Sequence, residues 1–182
     1  MPVPNFLGPL VPVVLSPPLG GGAPSNVLAF SIQAQQCSEW CWAATASSVA
    51  AFYANAAGMT QCQIAGSCLG ISCCSTPVPM PCNQPGALDQ ALQVVEHLAA
   101  PPAPTPYSMA SLQSEIDGGR PVCCHIKWSD ETGHFNAIYG YDAGVGDVDV
   151  GDPYYGNQTT PYTTLQTDYQ SAGVWDYYYL TH

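Results

Sequence analysis

Apolar positions change their spacing halfway along the chain. From Cys41 to Ala57 the sequence is alanine-rich, with Trp42, Val49 and Phe52 among the alanines and Gly58 following. Alanine is the best helix former and glycine a common stop, so this run predicts a helix over 41–57. From Ala87 to Ala99, Leu88, Ala91, Leu92, Val95 and Leu98 recur on one face at helical spacing and predict a second helix. Ser108 is placed to cap a short third helix that ends at Gly118-Gly119. Beyond that point the pattern becomes strand-like. Pro121 to Trp128, His134 to Tyr141, Asp147 to Val150 and Val174 to Leu180 are rich in β-branched and aromatic residues and are separated by Gly/Asp turns. A helical half followed by an antiparallel half predicts an α+β fold. No internal repeat is visible.

Between these elements the chain is irregular. Residues 1 to about 26 carry seven prolines and the run Gly20-Gly21-Gly22, which reads as an extended arm without helix. The domain division expected is an arm over 1–29 and a single domain over 30–182. The glycine pair Gly20-Gly21 resembles a cleavage signal, but glycine pairs are common in linkers and the linker reading is preferred. Residues 59–86 read as a Cys/Pro/Ser loop, and 101–106 as a proline linker.

Length and charge narrow the function. A chain of 182 residues is long enough for one domain with a real core. Only 8% of its residues are charged, against about 25% in ordinary globular proteins. Arg120 and Lys127 are its only lysine or arginine residues, and the formal charge is −11. Such a chain does not bind nucleic acid by phosphate neutralisation, and anionic lipid repels it. No run of 18 apolar residues is present, so no membrane span is expected. The first residues lack a basic region and their apolar stretch is broken by prolines, so they do not read as a signal peptide.

The nine cysteines are Cys37, Cys41, Cys62, Cys68, Cys73, Cys74, Cys82, Cys123 and Cys124. With Cys41 set aside as a nucleophile, eight remain, enough for four disulfides, and an oxidising compartment is expected. A zinc site competes, because five cysteines crowd between Cys62 and Cys82. Yet that segment holds no histidine, and no Cys-x2-Cys pair meets a second one. Disulfides are therefore the reading adopted, with no metal and no other cofactor. Asp147, Asp149 and Asp152 do not form the Asp-x-Asp-x-Asp-Gly loop of a calcium site.

The chemistry lies in three short stretches. Gln35 stands six residues before Cys41 in Gln35-Gln36-Cys37-Ser38-Glu39-Trp40-Cys41-Trp42; Gly133-His134-Phe135-Asn136-Ala137-Ile138-Tyr139-Gly140-Tyr141 comes much later, then Gly151-Asp152-Pro153. A cysteine attacks carbonyls as its thiolate, which an adjacent imidazolium or a helix N-terminus favours. Cys41 opens the first predicted helix, His134 is the candidate base, and Asp152 would fix the imidazole's tautomer and orientation. The Gln35 amide and the Cys41 backbone N–H are candidate donors to a developing oxyanion.

In these stretches the chain resembles the papain-like cysteine peptidases of clan CA. The resemblance is to their compact bacterial branch, which includes secreted effector proteases of plant pathogens and bacteriocin leader peptidases. Gln35, Cys41, Trp42, Gly133, His134, Gly140, Tyr141, Asp152 and Pro153 match that branch, over roughly Phe30 to Asp152. Asp152 stands where plant-type members have asparagine; the bacterial branch commonly has aspartate. The resemblance implies a helical N-terminal lobe with the nucleophile at a helix start, an antiparallel sheet lobe carrying the histidine, and a cleft between them. It implies an endopeptidase acting on a protein or peptide substrate through Cys41, His134 and Asp152; the cysteine count adds the expectation of a secreted protein, and a monomer is favoured.

Each role has a rival. Cys37 competes as nucleophile, Gln36 as oxyanion donor, and His97, His125 and His182 as base. Asp152 taken alone is a turn residue before proline. Trp40, Trp42 and Gly133 are candidate cleft residues, and Tyr154 or Trp175 is placed to shield the His134–Asp152 pair. Two other functions fit the same fold: a transamidase, deamidase or isopeptidase effector, and a non-catalytic secreted binding module.

Overall fold

The computed structural model describes residues 23–53 and 58–182. Most of the expected arm and the last residues of the first predicted helix lie outside them. Among the described residues the first element is strand β1 (Ser25–Val27), followed by helices α1 (Cys41–Tyr53), α2 (Gln61–Leu69) and α3 (Leu88–Val94). Strand β2 (Ala103–Pro104) and helix α4 (Met109–Asp117) lead into strands β3 (Val122–Lys127), β4 (Gly133–Asp142), β5 (Asp147–Asp152) and β6 (Gly156–Pro161). Helix α5 (Tyr162–Thr167) and strand β7 (Val174–Leu180) close the chain. The strands pair antiparallel in the order β2-β7-β3-β4-β5-β6, and β1 pairs the end of β4. The fold is α+β, as the pattern predicts.

The sheet separates two cores. One face, with Cys123, Phe135, Ala137 and Tyr179, packs under α1, α2 and α3. The other, with Cys124, Ile126, Ile138 and Val150, packs under Leu112 and Ile116 of α4 and Leu165 of α5. Helix α1 is the centre of the first core. Every residue from Trp42 to Ala50 is buried, so this helix is enclosed on all sides, not amphipathic. Its hydroxyls find partners: Ser47 donates to the Met59 carbonyl at 2.7 Å, Ser48 to the Ala44 carbonyl at 2.7 Å and Thr45 to the Phe135 carbonyl at 3.3 Å. The last of these ties the helix to β4.

Several expectations are corrected. The segment 59–86 is not irregular throughout, because it contains α2. The Thr60 backbone N–H donates to Gln63 Oε1 at 2.9 Å, one half of a capping box that starts this helix. The second predicted helix stops at Val94, because Leu98 leaves it to bridge Thr181 at the sheet. The proline linker contributes edge strand β2, where a proline's missing N–H costs no ladder bond. Strand β6 reads Gly-Asn-Gln-Thr-Thr-Pro; as the opposite edge of the sheet it needs no apolar face, so it gives no strand pattern. Ser25 to Val27, inside the stretch read as an arm, belong to the sheet.

The four-disulfide framework is also corrected. Cys62–Cys74 and Cys73–Cys82 are bonded, and Cys37, Cys41, Cys68, Cys123 and Cys124 are free. The reason is plain for the adjacent pair in β3. Successive strand residues point to opposite faces, so Cys123 enters the first core and Cys124 the second, each fully buried among apolar side chains. Burial pushes both thiols well up, Cys123 to about 12. These are core-filling cysteines.

Candidate active site

Two indoles fix the start of α1. Trp40 supplies the carbonyl that accepts the Ala44 N–H at 2.9 Å, so it occupies the cap position, and Cys41 is the first helical residue. Trp40 is fully buried, and its Nε1–H donates to the Cys82 carbonyl at 2.7 Å. Trp42 Nε1–H donates to the Gln84 carbonyl at 3.3 Å. Both carbonyls belong to the segment that the Cys73–Cys82 disulfide holds. The cysteine-rich region thus sets the position of Cys41. Of the two tryptophans only Trp42 lines the cleft; Trp40 is an anchor behind it.

The cleft has a volume of about 510 Å³ and runs between the helices and the sheet. Cys41, Trp42, Pro85 and Gly86 form one wall. Trp128, Gly133, His134 and Phe135 form the other, and Gln35 and Tyr155 also border it. One glycine on each wall lets a ring pack directly on the backbone. A Cβ on Gly86 would meet the Trp42 ring at 2.3 Å, and one on Gly133 would meet His125 Nε2 at 2.1 Å.

Strand β4 delivers His134 to this cleft and the end of β5 delivers Asp152 behind it. His134 Nε2 lies 2.9 Å from Asp152 Oδ1, with His134 only 7% exposed and Asp152 1% exposed. Nε2 is thereby committed to the carboxylate, which leaves Nδ1 for the Cys41 side. Burial by itself would lower the His134 pKa. Hydrogen bonds to Asp152 and Cys41, with the charges of both, outweigh it and raise the value to about 9.

Asp152 is tightly held. Its Oδ1 also accepts the backbone N–H groups of Tyr154 at 2.7 Å and Tyr155 at 2.8 Å. Its Oδ2 accepts the Tyr169 hydroxyl at 2.7 Å. Burial would raise this carboxyl, but the His134 contact and these donors hold it below the usual carboxylate range. The turn reading and the orienting reading of Asp152 therefore share one geometry, because one carboxylate caps the turn and meets the imidazole.

Aromatic rings surround the pair. Trp128 lies 6.2 Å from the His134 ring between centroids, and Tyr155 stands edge-on at 6.3 Å. Tyr169, 1% exposed, stacks on Trp128 at 6.3 Å and accepts a hydrogen bond from the Gln158 amide. Trp175 does not take the shielding position: it packs on Tyr107 and Tyr162 in the second core, and its Nε1–H donates to the Tyr177 carbonyl at 2.8 Å. Tyr154 borders the cleft with an exposed ring. The sequence reading missed Trp128 and Tyr169 as neighbours of the pair. Tyr169 lies in the loop between α5 and β7, and only the fold brings it to β5.

Gln35 is in place at the cleft, and its backbone N–H donates to the Pro153 carbonyl at 3.0 Å, which joins the helix approach to the Asp152 turn. Its amide Nε2 donates to the carbonyls of Cys37 at 3.1 Å and Ser38 at 2.6 Å. Gln36 instead uses its backbone N–H on Gln61 Oε1 at 2.9 Å. Cys37 packs partly against the first core, its thiol pushed up by burial, and it does not line the cleft. His97 lies apart, with Nδ1 2.6 Å from the His182 carbonyl oxygen. His125 lines the cleft but is engaged by Asp176.

Residues 25–169 match the family described as "Papain-like cysteine protease AvrRpt2". No curated protein sequence matches the chain. Among solved structures, the chain is similar to the peptidase domain of Streptococcus ComA, a bi-functional ABC transporter involved in a quorum sensing pathway. That similarity has a TM-score of 0.55 and 15% identity, over 84% of this chain and 98% of that one. A double glycine motif protease from an AMS/PCAT transporter, solved in complex with the leader peptide, is similar with a TM-score of 0.50 and 15% identity, over 86% of this chain and 94% of that one. At such identities the structures share the fold.

Proposed function

Because this chain belongs to the AvrRpt2 family of papain-like cysteine proteases, we propose that it is an endopeptidase using Cys41, His134 and Asp152. The carrying observation is that Cys41 begins a buried helix in one cleft with His134, whose far nitrogen is held by a buried carboxylate. His134 Nδ1 takes the Cys41 proton, and the thiolate attacks the scissile carbonyl carbon. The imidazolium then gives that proton to the leaving amine as the C–N bond breaks, leaving a thioester. A water, deprotonated by His134, attacks the thioester; its proton returns to Cys41 as the acid is released.

Charge develops on the carbonyl oxygen in both steps. Cys41 is the first helical residue, so its backbone N–H has no intrahelical acceptor and is free to donate. Gln35 Nε2 supplies the second donor by turning one N–H from a backbone carbonyl to the oxyanion. Hydrogen bonds to an ionised acceptor are roughly twice as strong as neutral ones, which favours that exchange.

The substrate is an extended segment of protein or peptide. The cleft between the wall of Trp42 and Gly86 and that of Gly133 and His134 has a volume of about 510 Å³, which leaves room for an extended main chain. The two disulfides support action in an oxidising compartment outside the cytoplasm. The test is hydrolysis of an unfolded protein by the purified chain and by Cys41→Ala, with peptide products identified by mass spectrometry. Removing a nucleophile of this kind lowers turnover by several orders of magnitude. Equal hydrolysis by the variant would remove Cys41 from the role.

A further inference from the structure

His125, which lines the cleft, belongs to a second histidine–aspartate pair that the proposed reaction leaves unused. His125 on β3 places Nδ1 2.6 Å from Oδ1 of Asp176 on β7. The two side chains are 24% and 29% exposed, so the pair is accessible. It is set apart from His134 by the pleat. In the β3–β4 register His125 faces Phe135, and Ile126 faces His134, so the two histidines leave opposite faces of the sheet. The His125 ring packs on Phe135 at 4.9 Å between centroids, and its Nε2 points at the bare backbone of Gly133, one residue before His134. A peptide bound at Cys41 and passing Gly133 would have a side chain in reach of His125.

The charges around this end of the cleft are one-sided. With Nδ1–H given to Asp176, Nε2 of a neutral His125 is a hydrogen-bond acceptor. The pair carries one negative charge with a neutral ring and none with a protonated ring, so in neither state does it attract a carboxylate by net charge. Glu39 also lines the cleft, Glu131 does so with its charge offset by Lys127, and neither Arg120 nor Lys127 is among the lining residues. Lys127, two residues along β3, lies near Asp176 but is bound to Glu131 at 2.6 Å. Arg120, the other strong base, is bound to Glu115 at 2.6 Å. A substrate carboxylate at His125 would therefore meet the Asp176 carboxylate with no free cation to offset it, whereas a substrate N–H donor would meet an acceptor with that carboxylate behind it.

We propose that His125 and Asp176 form a substrate subsite that selects a basic side chain, arginine or lysine, close to the scissile bond. The proposal rests on the peptidase reading and adds the chemistry of the peptide preferred. The subsite is held in shape by the sheet itself, because both residues sit on paired strands and not on loops.

The experiment uses matched fluorogenic peptides carrying Arg, Gln, Leu or Glu at one position at a time around a common scissile bond. Cleavage by the wild-type chain gives kcat/KM, and anisotropy with Cys41→Ala gives Kd for the same peptides. At one position Arg is expected to exceed Glu by about tenfold or more in both quantities, with the ratio shrinking as salt rises. That ratio is expected to fall several-fold in Asp176→Asn and in His125→Leu. Equal use of Arg and Glu at every position by the wild-type chain overturns the proposal, as does an Arg preference that survives both substitutions. The wild-type comparison decides alone if neither variant folds. If the wild-type chain cleaves none of the peptides, the peptidase reading fails, and binding to Cys41→Ala still decides the subsite.

Discussion

The Tyr169 hydroxyl donates to Oδ2 of Asp152 at 2.7 Å, on the carboxylate oxygen that His134 does not use. Each oxygen of that buried carboxylate thus has its own donors, and the plane of the group is fixed relative to the imidazole. Tyr169 does not line the cleft, so any effect it has on the site runs through Asp152. Tyr169→Phe keeps the ring that stacks on Trp128 and deletes one donor. Leaving a charged acceptor short of a partner costs about 1–3 kcal/mol. The variant is expected to fold, to lose up to roughly tenfold in kcat with KM little changed, and to move the acidic limb of its pH profile upward as Asp152 becomes easier to protonate. Steady-state kinetics from acid to neutral pH check this. An acidic limb identical to wild type would reduce Tyr169 to packing.

Trp40 and Cys82 connect the disulfide region to the start of α1, where Cys41 stands. The indole N–H reaches the Cys82 carbonyl at 2.7 Å in a fully buried setting, so Trp40→Phe would strand a buried carbonyl and leave a gap beside α1. The expected cost is about 2–4 kcal/mol from the lost hydrogen bond and the lost volume together. Urea unfolding measures it. Cutting the Cys73–Cys82 bridge by Cys73→Ser should act on the same part of the fold, so the two costs should combine non-additively. Strict additivity in the double variant would show that the indole and the bridge act separately.

How much of this was legible in the sequence depends on the kind of interaction. Cys41, His134 and Asp152 stand in short stretches whose local chemistry is specific, and the fold brings all three together through α1, β4 and β5. Helix α1 and the four apolar strands announced themselves because burial dictates their composition. Strand β6 and helix α2 did not: the first is a polar sheet edge, and the second is short and started by a Thr60–Gln63 contact inside a cysteine-rich run. Tyr169 and Trp128 meet only because the sheet and the α5–β7 loop converge, and no local pattern encodes that. Counting cysteines misled for a related reason. An even number invites pairing, but strand alternation sends Cys123 and Cys124 to opposite cores.

The thiols provide a direct check on that correction. Non-reducing intact mass should show two disulfides and five thiols. Under native conditions iodoacetamide should label Cys41 ahead of Cys37, whose thiol burial pushes up, and should spare Cys123 and Cys124 until the protein unfolds. Peptide mapping of a labelling time course gives the order. Four disulfides and a single thiol would restore the framework expected from the cysteine count. Labelling of Cys37 ahead of Cys41 would reopen the choice of nucleophile.

Stability against pH tests the His134–Asp152 pair independently of substrate. Folding raises His134 from an ordinary value of about 6.5 to about 9, since its partners outweigh the opposing effect of burial. The native state therefore holds a proton that the unfolded state has released between those two values. The sign follows: the pair's contribution is complete below about pH 6.5 and is lost as pH rises through about 9. A shift of that size corresponds to a few kcal/mol. Asp152 acts in the opposite direction. Its carboxyl is held low, so its contribution is present above its unfolded pKa and is lost as acid protonates it in the folded protein. Buried Cys123 and Cys124 also release protons on unfolding at alkaline pH, so the difference between wild type and His134→Gln is the quantity to follow. Urea unfolding in steps from pH 5 to pH 10 should give a wild-type stability that falls more steeply than that of His134→Gln across the window. In Asp152→Asn the imidazole loses its anionic partner, so the same fall should begin at lower pH. Parallel curves for wild type and His134→Gln would mean that His134 binds no extra proton in the folded state, and the ion-paired description of the site would then fail.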